Sequence, residues 1–133
     1  MKKILFIGLG RIGLPQAVVF ASKQFQVFGY DINSELLTEL KEGKLTFYEP
    51  DLNEYLDNTL NKLFFIINNI EDQIEDIDYL IISVGSKVPD DLNDLVSYGI
   101  PFAEVTSLLD KLLITKPKKG FTVIFRTTFP LGT

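Results

Sequence analysis

The hexapeptide GLGRIG at residues 8–13 constrains the fold of this chain more than any other segment. It follows the apolar run ILFI at residues 4–7, which is typical of a strand buried on both faces. Helix-compatible sequence begins at once after it and continues over residues 12–23. A buried strand that passes through closely spaced glycines into a helix is the first half of a βαβ unit.

Each glycine of this loop has a predicted physical role. Gly8 makes the tight turn, Gly10 lets the backbone approach a pyrophosphate, and Gly13 lets the helix lie close on the sheet. The helix N-terminus then offers free N–H groups and a positive dipole to phosphates. The alternative is that the glycines serve only the strand-to-helix turn.

The remainder of the chain repeats the alternation of strands and helices. Further strands are predicted at residues 27–30, 64–67, 80–84 and 121–125. Further helices are predicted at residues 33–42, 50–60 and 101–114, with a loop over residues 86–97. This order predicts an α/β fold, a doubly wound Rossmann-type parallel sheet in three α/β/α layers, as a single domain over residues 1–133.

In such sheets ligands lie beyond the carboxyl ends of the strands. The candidate functional segments all fall at predicted strand ends: residues 8–13, Asp31, Val84, Gly85, Ser86, Thr127 and Thr128. A polar stretch at residues 68–78 carries five carboxylates, but a solvated helix and turn explains it without an ion. We therefore predict no metal site.

Asp31 ends the second predicted strand and is the candidate ligand of the adenosine ribose hydroxyls. A 2′-phosphate there would meet like charge, and residues 32–40 contain no Lys or Arg, so NAD is predicted rather than NADP. Asn33, counted with the cofactor residues, can also cap the second helix. An alternative stays open for each of two residues. Asp31 could serve only as a helix cap or turn residue, and Arg11 could be solvated instead of reaching the pyrophosphate.

The composition excludes several function classes. The formal net charge is −5, which does not favour nucleic acid or an anionic membrane as partner. The absence of Cys and His removes thiolate nucleophiles, the Ser-His-Asp triad and the usual zinc ligands. Arg11 ends the first apolar run too early for a signal peptide, and no run approaches the roughly 20 residues that span a bilayer, so we expect a cytoplasmic protein.

Four segments together resemble the N-terminal domain of the UDP-glucose/GDP-mannose dehydrogenase family, over residues 3–133. They are GLGRIGLP at residues 8–15, GYDIN at 29–33, YEP at 48–50 with Leu52 after it, and TTFPLGT at 127–133. The chain departs from the family pattern at residues 84–87, which lack two usual prolines, at residues 126–128, where Glu-Ser-Thr is usual, and at Leu36, where a cation is frequent.

The resemblance implies that the chain is the NAD-binding part of a longer nucleotide-sugar dehydrogenase, whose central helix and C-terminal domain are absent here. Such enzymes oxidise the sugar C6 alcohol to a carboxylate with NAD, using a Cys, a Lys and acidic groups beyond this domain. It implies a nucleotide-sugar partner and allows a homo-oligomer in the full-length protein. The resemblance implies that Gly8, Gly10, Arg11, Ile12 and Asp31 line the cofactor and that Ser86 and Thr128 stand near the nicotinamide, with Thr128 as the candidate catalytic residue. The other candidate cofactor residues are Gly13, Asn33, Val84 and Gly85.

Two other readings of the Gly-rich loop stay open. Regulatory nucleotide-binding domains of potassium channels and transporters share it and bind without chemistry, although they generally have Gly-Asp where this chain has Asn68 and Asn69. Other Rossmann oxidoreductases, such as hydroxyacid dehydrogenases, have a similar loop. If the chain is part of a dehydrogenase, we expect it to bind NAD in isolation but not to oxidise sugars. It has no Cys thiol to form a covalent intermediate, and no His that could activate a Ser or Thr hydroxyl instead.

Overall fold

The structure, a computed structural model, describes residues 1–83, 107, 109–112, 114 and 120–126. Its strands are β1 (Lys3–Ile7), β2 (Gln26–Tyr30), β3 (Phe64–Ile66), β4 (Tyr79–Ile82) and β5 (Thr122–Phe125). Its helices are α1 (Gly13–Ser22), α2 (Ser34–Lys41) and α3 (Leu52–Thr59), followed by a 3₁₀ turn at Ile70–Asp72. Residues 107, 109–112 and 114 are also helical.

The strands form one sheet in the order β3-β2-β1-β4-β5, and every neighbouring pair is parallel. The chain therefore builds outward from β1 to one side, through β2 and β3, and then crosses to the other side with β4 and β5. A crevice opens at the carboxyl end of such a sheet where the order reverses, which here is between β1 and β4. The predicted Rossmann-like α/β fold is confirmed.

Alternate residues of the central strands bury opposite faces of the sheet. On one face, Ile4 and Phe6 of β1 join the apolar residues of α1, α2 and α3 in a single core cluster. On the other face, Leu5 and Ile7 pack with residues from the segment after β3 and with Leu112. Both faces of β1 are buried, as its uninterrupted apolar sequence predicts.

Gly29, the fourth of the five residues of β2, leaves space for two large side chains. A Cβ atom built on Gly29 would lie 2.8 Å from the Phe64 ring and 3.0 Å from the Leu9 side chain. Both neighbours are completely buried. The glycine thus lets Leu9, the second residue of the Gly-rich loop, anchor that loop in the core.

The structure corrects two details of the sequence interpretation. The acidic stretch after β3 is more than a solvated turn, because Ile70, Ile74 and Ile77 are buried against the second face of the sheet. The third helix begins at Leu52 and not at residue 50, since its N-cap Asp51 has left-handed backbone with φ 66°. The other described elements begin and end within two residues of the predicted bounds.

The predicted loop at residues 86–97 lies outside the described residues. The predicted helix at residues 101–114 is described only in part, at residues 107, 109–112 and 114, all of which are helical. Across the described ranges, no helix has the length and apolar character needed to cross a membrane.

Candidate functional site

The Gly-rich loop leaves β1 at the carboxyl edge of the sheet and leads directly into α1, which begins at Gly13. Gly8 has φ 100°, a backbone conformation that favours glycine, and its N–H donates to the Tyr30 carbonyl oxygen at 2.8 Å. The loop therefore starts hydrogen-bonded to the end of β2. The predicted place of the loop and the start of the helix are both confirmed.

Gly13 and Gly10 have different surroundings. A Cβ atom on Gly13 would lie only 1.9 Å from the Gly8 carbonyl oxygen, so helix and strand meet backbone against backbone. A Cβ atom on Gly10 would meet no described atom within 4 Å. The absence of a side chain at Gly10 thus leaves open space on the outer side of the loop, whereas the absence at Gly13 is required for packing.

Within the described residues, the N-terminal end of α1 has backbone N–H groups without a hydrogen-bond partner. Its N-cap residue, Ile12, contributes no side-chain cap, and its first turn contains no acidic residue. Leu14 N–H donates to the Gly10 carbonyl oxygen at 3.0 Å, but within the described chain no acceptor faces the N–H groups of Ile12 and Gly13. Free donors at the positive end of a helix dipole form a site suited to an anion.

Asp31 connects the loop to the turn that follows β2. Its Oδ2 accepts a hydrogen bond from Leu9 N–H at 2.9 Å, and its Oδ1 accepts one from Asn33 N–H at 2.9 Å. A carboxylate has about four lone-pair sites, so capacity remains for the hydroxyls of a ligand. The bond from Leu9 is not foreseeable from spacing alone, because it depends on Leu9 being buried in the core.

The cap of α2 is Asn33 and not Asp31. The Asn33 side chain accepts from the N–H groups of Glu35 at 3.1 Å and Leu36 at 3.3 Å. This confirms the predicted cap and shows that Asp31 acts in the turn. The carboxylate of Asp31 is therefore not used by the helix.

Arg11 is exposed on the Gly-rich loop, and its predicted contact with a pyrophosphate stays a prediction. Its guanidinium carbon lies 5.5 Å from the centre of the Phe47 ring, so the cation stacks on the segment between α2 and α3. Ile12 in the loop and Ile32 in the turn after β2 are 59% and 63% exposed.

Ser83 is a residue that the sequence interpretation missed. It follows β4 directly, is 8% exposed, and its N–H donates to the Ile7 carbonyl oxygen at 2.8 Å. Within the described part of the chain, its buried hydroxyl has no hydrogen-bond partner. Since buried hydroxyls are rarely left unpaired, the Ser83 hydroxyl is available to hydrogen-bond a ligand or a water molecule.

The other predicted site residues, Val84, Gly85, Ser86 and Thr128, lie outside the described residues. Among the residues that the structure does describe, no group of three or more acidic side chains is arranged to hold a metal ion.

The described groups fit a dinucleotide. Free N–H donors at α1 and the open space at Gly10 suit a diphosphate, while the Asp31 carboxylate suits ribose hydroxyls. All of them lie at the carboxyl edge of the sheet, after β1 and β2, and the strand order reverses beside them, between β1 and β4.

Comparison with known proteins gives the same assignment. Residues 2–133 match the model of the UDP-glucose/GDP-mannose dehydrogenase family, NAD binding domain. A UDP-N-acetyl-D-mannosamine dehydrogenase of Campylobacter jejuni is 31% identical over 131 residues, which cover 98% of this chain and 30% of that protein.

Two solved structures also match closely. A UDP-N-acetyl-mannosamine dehydrogenase of Staphylococcus aureus has a TM-score of 0.76 at 30% identity, over 96% of this chain and 29% of that one. A UDP-glucose dehydrogenase of Pyrobaculum islandicum has a TM-score of 0.76 at 28% identity, over 100% of this chain and 30% of that one. The chain thus spans about 30% of the length of the relatives it matches.

Proposed function

Because this chain belongs to the UDP-glucose/GDP-mannose dehydrogenase family, whose NAD-binding domain it matches, we propose that it serves a dehydrogenase that oxidises the sugar C6 alcohol of a UDP-linked sugar to the carboxylate. Its cofactor is NAD. The proposed whole enzyme extends beyond this chain, which would be its N-terminal NAD-binding domain.

The observation that carries the proposal is the convergence of three features at one edge of the sheet. Donors at the start of α1 would hold the NAD diphosphate, with Gly10 leaving room for it. Asp31 would accept from the adenosine ribose hydroxyls with the lone pairs that Leu9 and Asn33 leave free. When bound, NAD supplies the acceptor for a hydride from the sugar carbon.

The nicotinamide side of the site belongs to the proposal as well. Val84, Gly85 and Ser86 follow β4, which pairs with β1, and Thr128 follows β5, which pairs with β4. We assign Thr128 to the reacting side of the cofactor. A homo-oligomer of the complete enzyme and a cytoplasmic location stay predictions.

The relatives favour an N-acetylated sugar as substrate. The proteins from C. jejuni and S. aureus are UDP-N-acetyl-mannosamine dehydrogenases, and both are at least 30% identical to this chain over nearly its whole length. The P. islandicum relative is a UDP-glucose dehydrogenase at lower identity. We therefore propose UDP-N-acetylmannosamine as the first substrate to test, with UDP-glucose as the second.

The test measures NADH formation by the longer protein that carries this sequence. UDP-N-acetylmannosamine, UDP-glucose and GDP-mannose are compared, with a 2-hydroxy acid as a probe for the hydroxyacid dehydrogenase alternative. We expect NADH with a UDP-sugar and, at NAD concentrations below saturation, at least tenfold slower NADH formation in the Gly10→Ala variant. Two results would refute the proposed reaction: NADH formation with the hydroxy acid but with none of the nucleotide sugars, or no NADH formation with any of the compounds tested.

A further inference from the structure

We propose that Ser83 is a positioning residue for the anion held at the N-terminus of α1, and that its hydroxyl proton is directed to an anionic oxygen there, either directly or through one buried water. The inference deepens the proposed function and rests on it, because the anion would be the NAD diphosphate. Ser83 is not among the site residues that the sequence or the family resemblance predicts.

The first step of the argument is the cost of leaving the hydroxyl unpaired. Ser83 is 8% exposed, and within the described part of the chain its Oγ has no partner. A hydroxyl offers one donor and two acceptor positions, and leaving them all unused in a buried place is unfavourable. A partner supplied on ligand binding removes that cost.

The second step is the position of the side chain. Ser83 continues the β1–β4 pairing through its N–H bond to Ile7. A Cβ atom on Gly13 would come within 3.3 Å of the Ser83 Cβ and 1.9 Å of the Gly8 oxygen. Ser83 therefore packs under the first turn of α1, where β1, β4 and the helix meet.

The third step is the character of the groups around that point. The N–H groups of Ile12 and Gly13 have no acceptor within the described chain, and the first turn of α1 has no acidic side chain. A partner that accepts hydrogen bonds would satisfy these N–H groups and the Ser83 hydroxyl proton together. A phosphate oxygen meets that demand, and so does a water that passes one hydrogen bond on to the phosphate.

The test uses inorganic pyrophosphate and ADP as probes that carry the diphosphate, and adenosine as a probe that lacks it. In Ser83→Ala, the affinity for pyrophosphate and ADP is expected to fall roughly tenfold, the ratio for one hydrogen bond to a charged oxygen, while the affinity for adenosine stays unchanged. Ser83→Cys keeps a small side chain but donates weakly, so it should behave like Ser83→Ala.

A matched control separates this role from packing. Ser22 lies at the other end of α1, where its hydroxyl donates to the Val19 carbonyl oxygen. Ser22→Ala should leave all three affinities unchanged. Without ligand, Ser83→Ala should unfold at the same temperature as the wild type or a higher one, because no hydrogen bond within the described chain is lost.

The outcomes distinguish this inference from the proposed function. If the wild type binds NAD and ADP and Ser83→Ala binds them equally well, the inference is wrong and the proposed function stands. A loss of stability in ligand-free Ser83→Ala, with adenosine and ADP affected alike, also overturns it. Failure of the wild type to bind NAD, ADP and pyrophosphate overturns both. A crystal structure with ADP then shows whether Ser83 contacts the phosphate directly or through water.

Discussion

Gly10 and Gly13 lie three positions apart in one loop, and each is a glycine for a different reason. At Gly13 the backbone of α1 touches the Gly8 carbonyl, so an added methyl group has no space. At Gly10 an added methyl group meets no described atom and would occupy only the space left for a ligand. A substitution at Gly13 should therefore affect folding, whereas one at Gly10 should affect ligand binding.

Gly13→Ala is expected to lower the free energy of unfolding by about 1–3 kcal/mol or more, the usual range for overpacking. Gly10→Ala should change it by less than about 0.5 kcal/mol, as at sites without strain or lost contacts. Gly10→Ala should nevertheless bind NAD at least tenfold more weakly. Urea denaturation and calorimetry measure the two effects, and a Gly10→Ala protein that binds NAD normally would show that the diphosphate lies elsewhere.

Asp31 should act on cofactor choice and on the loop at the same time. In Asp31→Ala, the preference for NAD over NADP should shrink, since the 2′-phosphate no longer meets a carboxylate. The buried Leu9 N–H also loses its acceptor, which should cost about 1–3 kcal/mol of stability. Asp31→Asn keeps one carbonyl oxygen and should be intermediate in stability. An unchanged NAD-to-NADP ratio in Asp31→Ala would remove Asp31 from the ribose role.

Among the elements, α1 and α2 end in the same hydrogen-bond pattern with different residues. After α2, Gly43 has φ 77°, and Lys44 N–H donates to the Glu39 carbonyl oxygen at 2.9 Å. After α1, Gln24 has φ 72°, and Phe25 N–H donates to the Phe20 carbonyl oxygen at 3.3 Å. Both ends are Schellman motifs, for which glycine is the preferred residue.

Gln24→Gly is expected to stabilise the chain by about 0.5–1 kcal/mol, because the left-handed conformation costs less without a Cβ atom. The edge-on contact of Phe20 with Phe25, at 5.6 Å between ring centres, stays intact. Gly43→Ala is the matched control and should destabilise by about 1 kcal/mol. A midpoint of urea denaturation that falls for Gln24→Gly would contradict this account of the helix end.

The elements near the Gly-rich loop could be predicted from the sequence because each local signal agrees with the fold. The apolar run of β1, the loop glycines and the Asn33 cap need no distant contact to be recognised. The segment after β3 is different: Ile70, Ile74 and Ile77 stand among acidic residues, and only their helical spacing reveals a buried side. The unpaired hydroxyl of Ser83 depends on β1, β4 and α1 meeting, which no local pattern contains.

For the whole molecule, the parallel order β3-β2-β1-β4-β5 brings the ends of β1, β2 and β4 to one edge. The Gly-rich loop, Asp31 and Ser83 meet there although they are far apart in sequence. The sequence contains no Cys and no His, so this cofactor-binding site has no thiol or imidazole of the same chain beside it. We therefore expect binding by the isolated chain and no NADH formation from UDP- or GDP-sugars.

The central claim is that this edge binds NAD, and calorimetric titration of NAD into the chain and into its Gly10→Ala variant tests it most directly. The account predicts saturable binding by the wild type and at least tenfold weaker binding by the variant, whose folded stability is unchanged. Absence of NAD binding by the folded wild-type chain, or equal binding by both proteins, would contradict it.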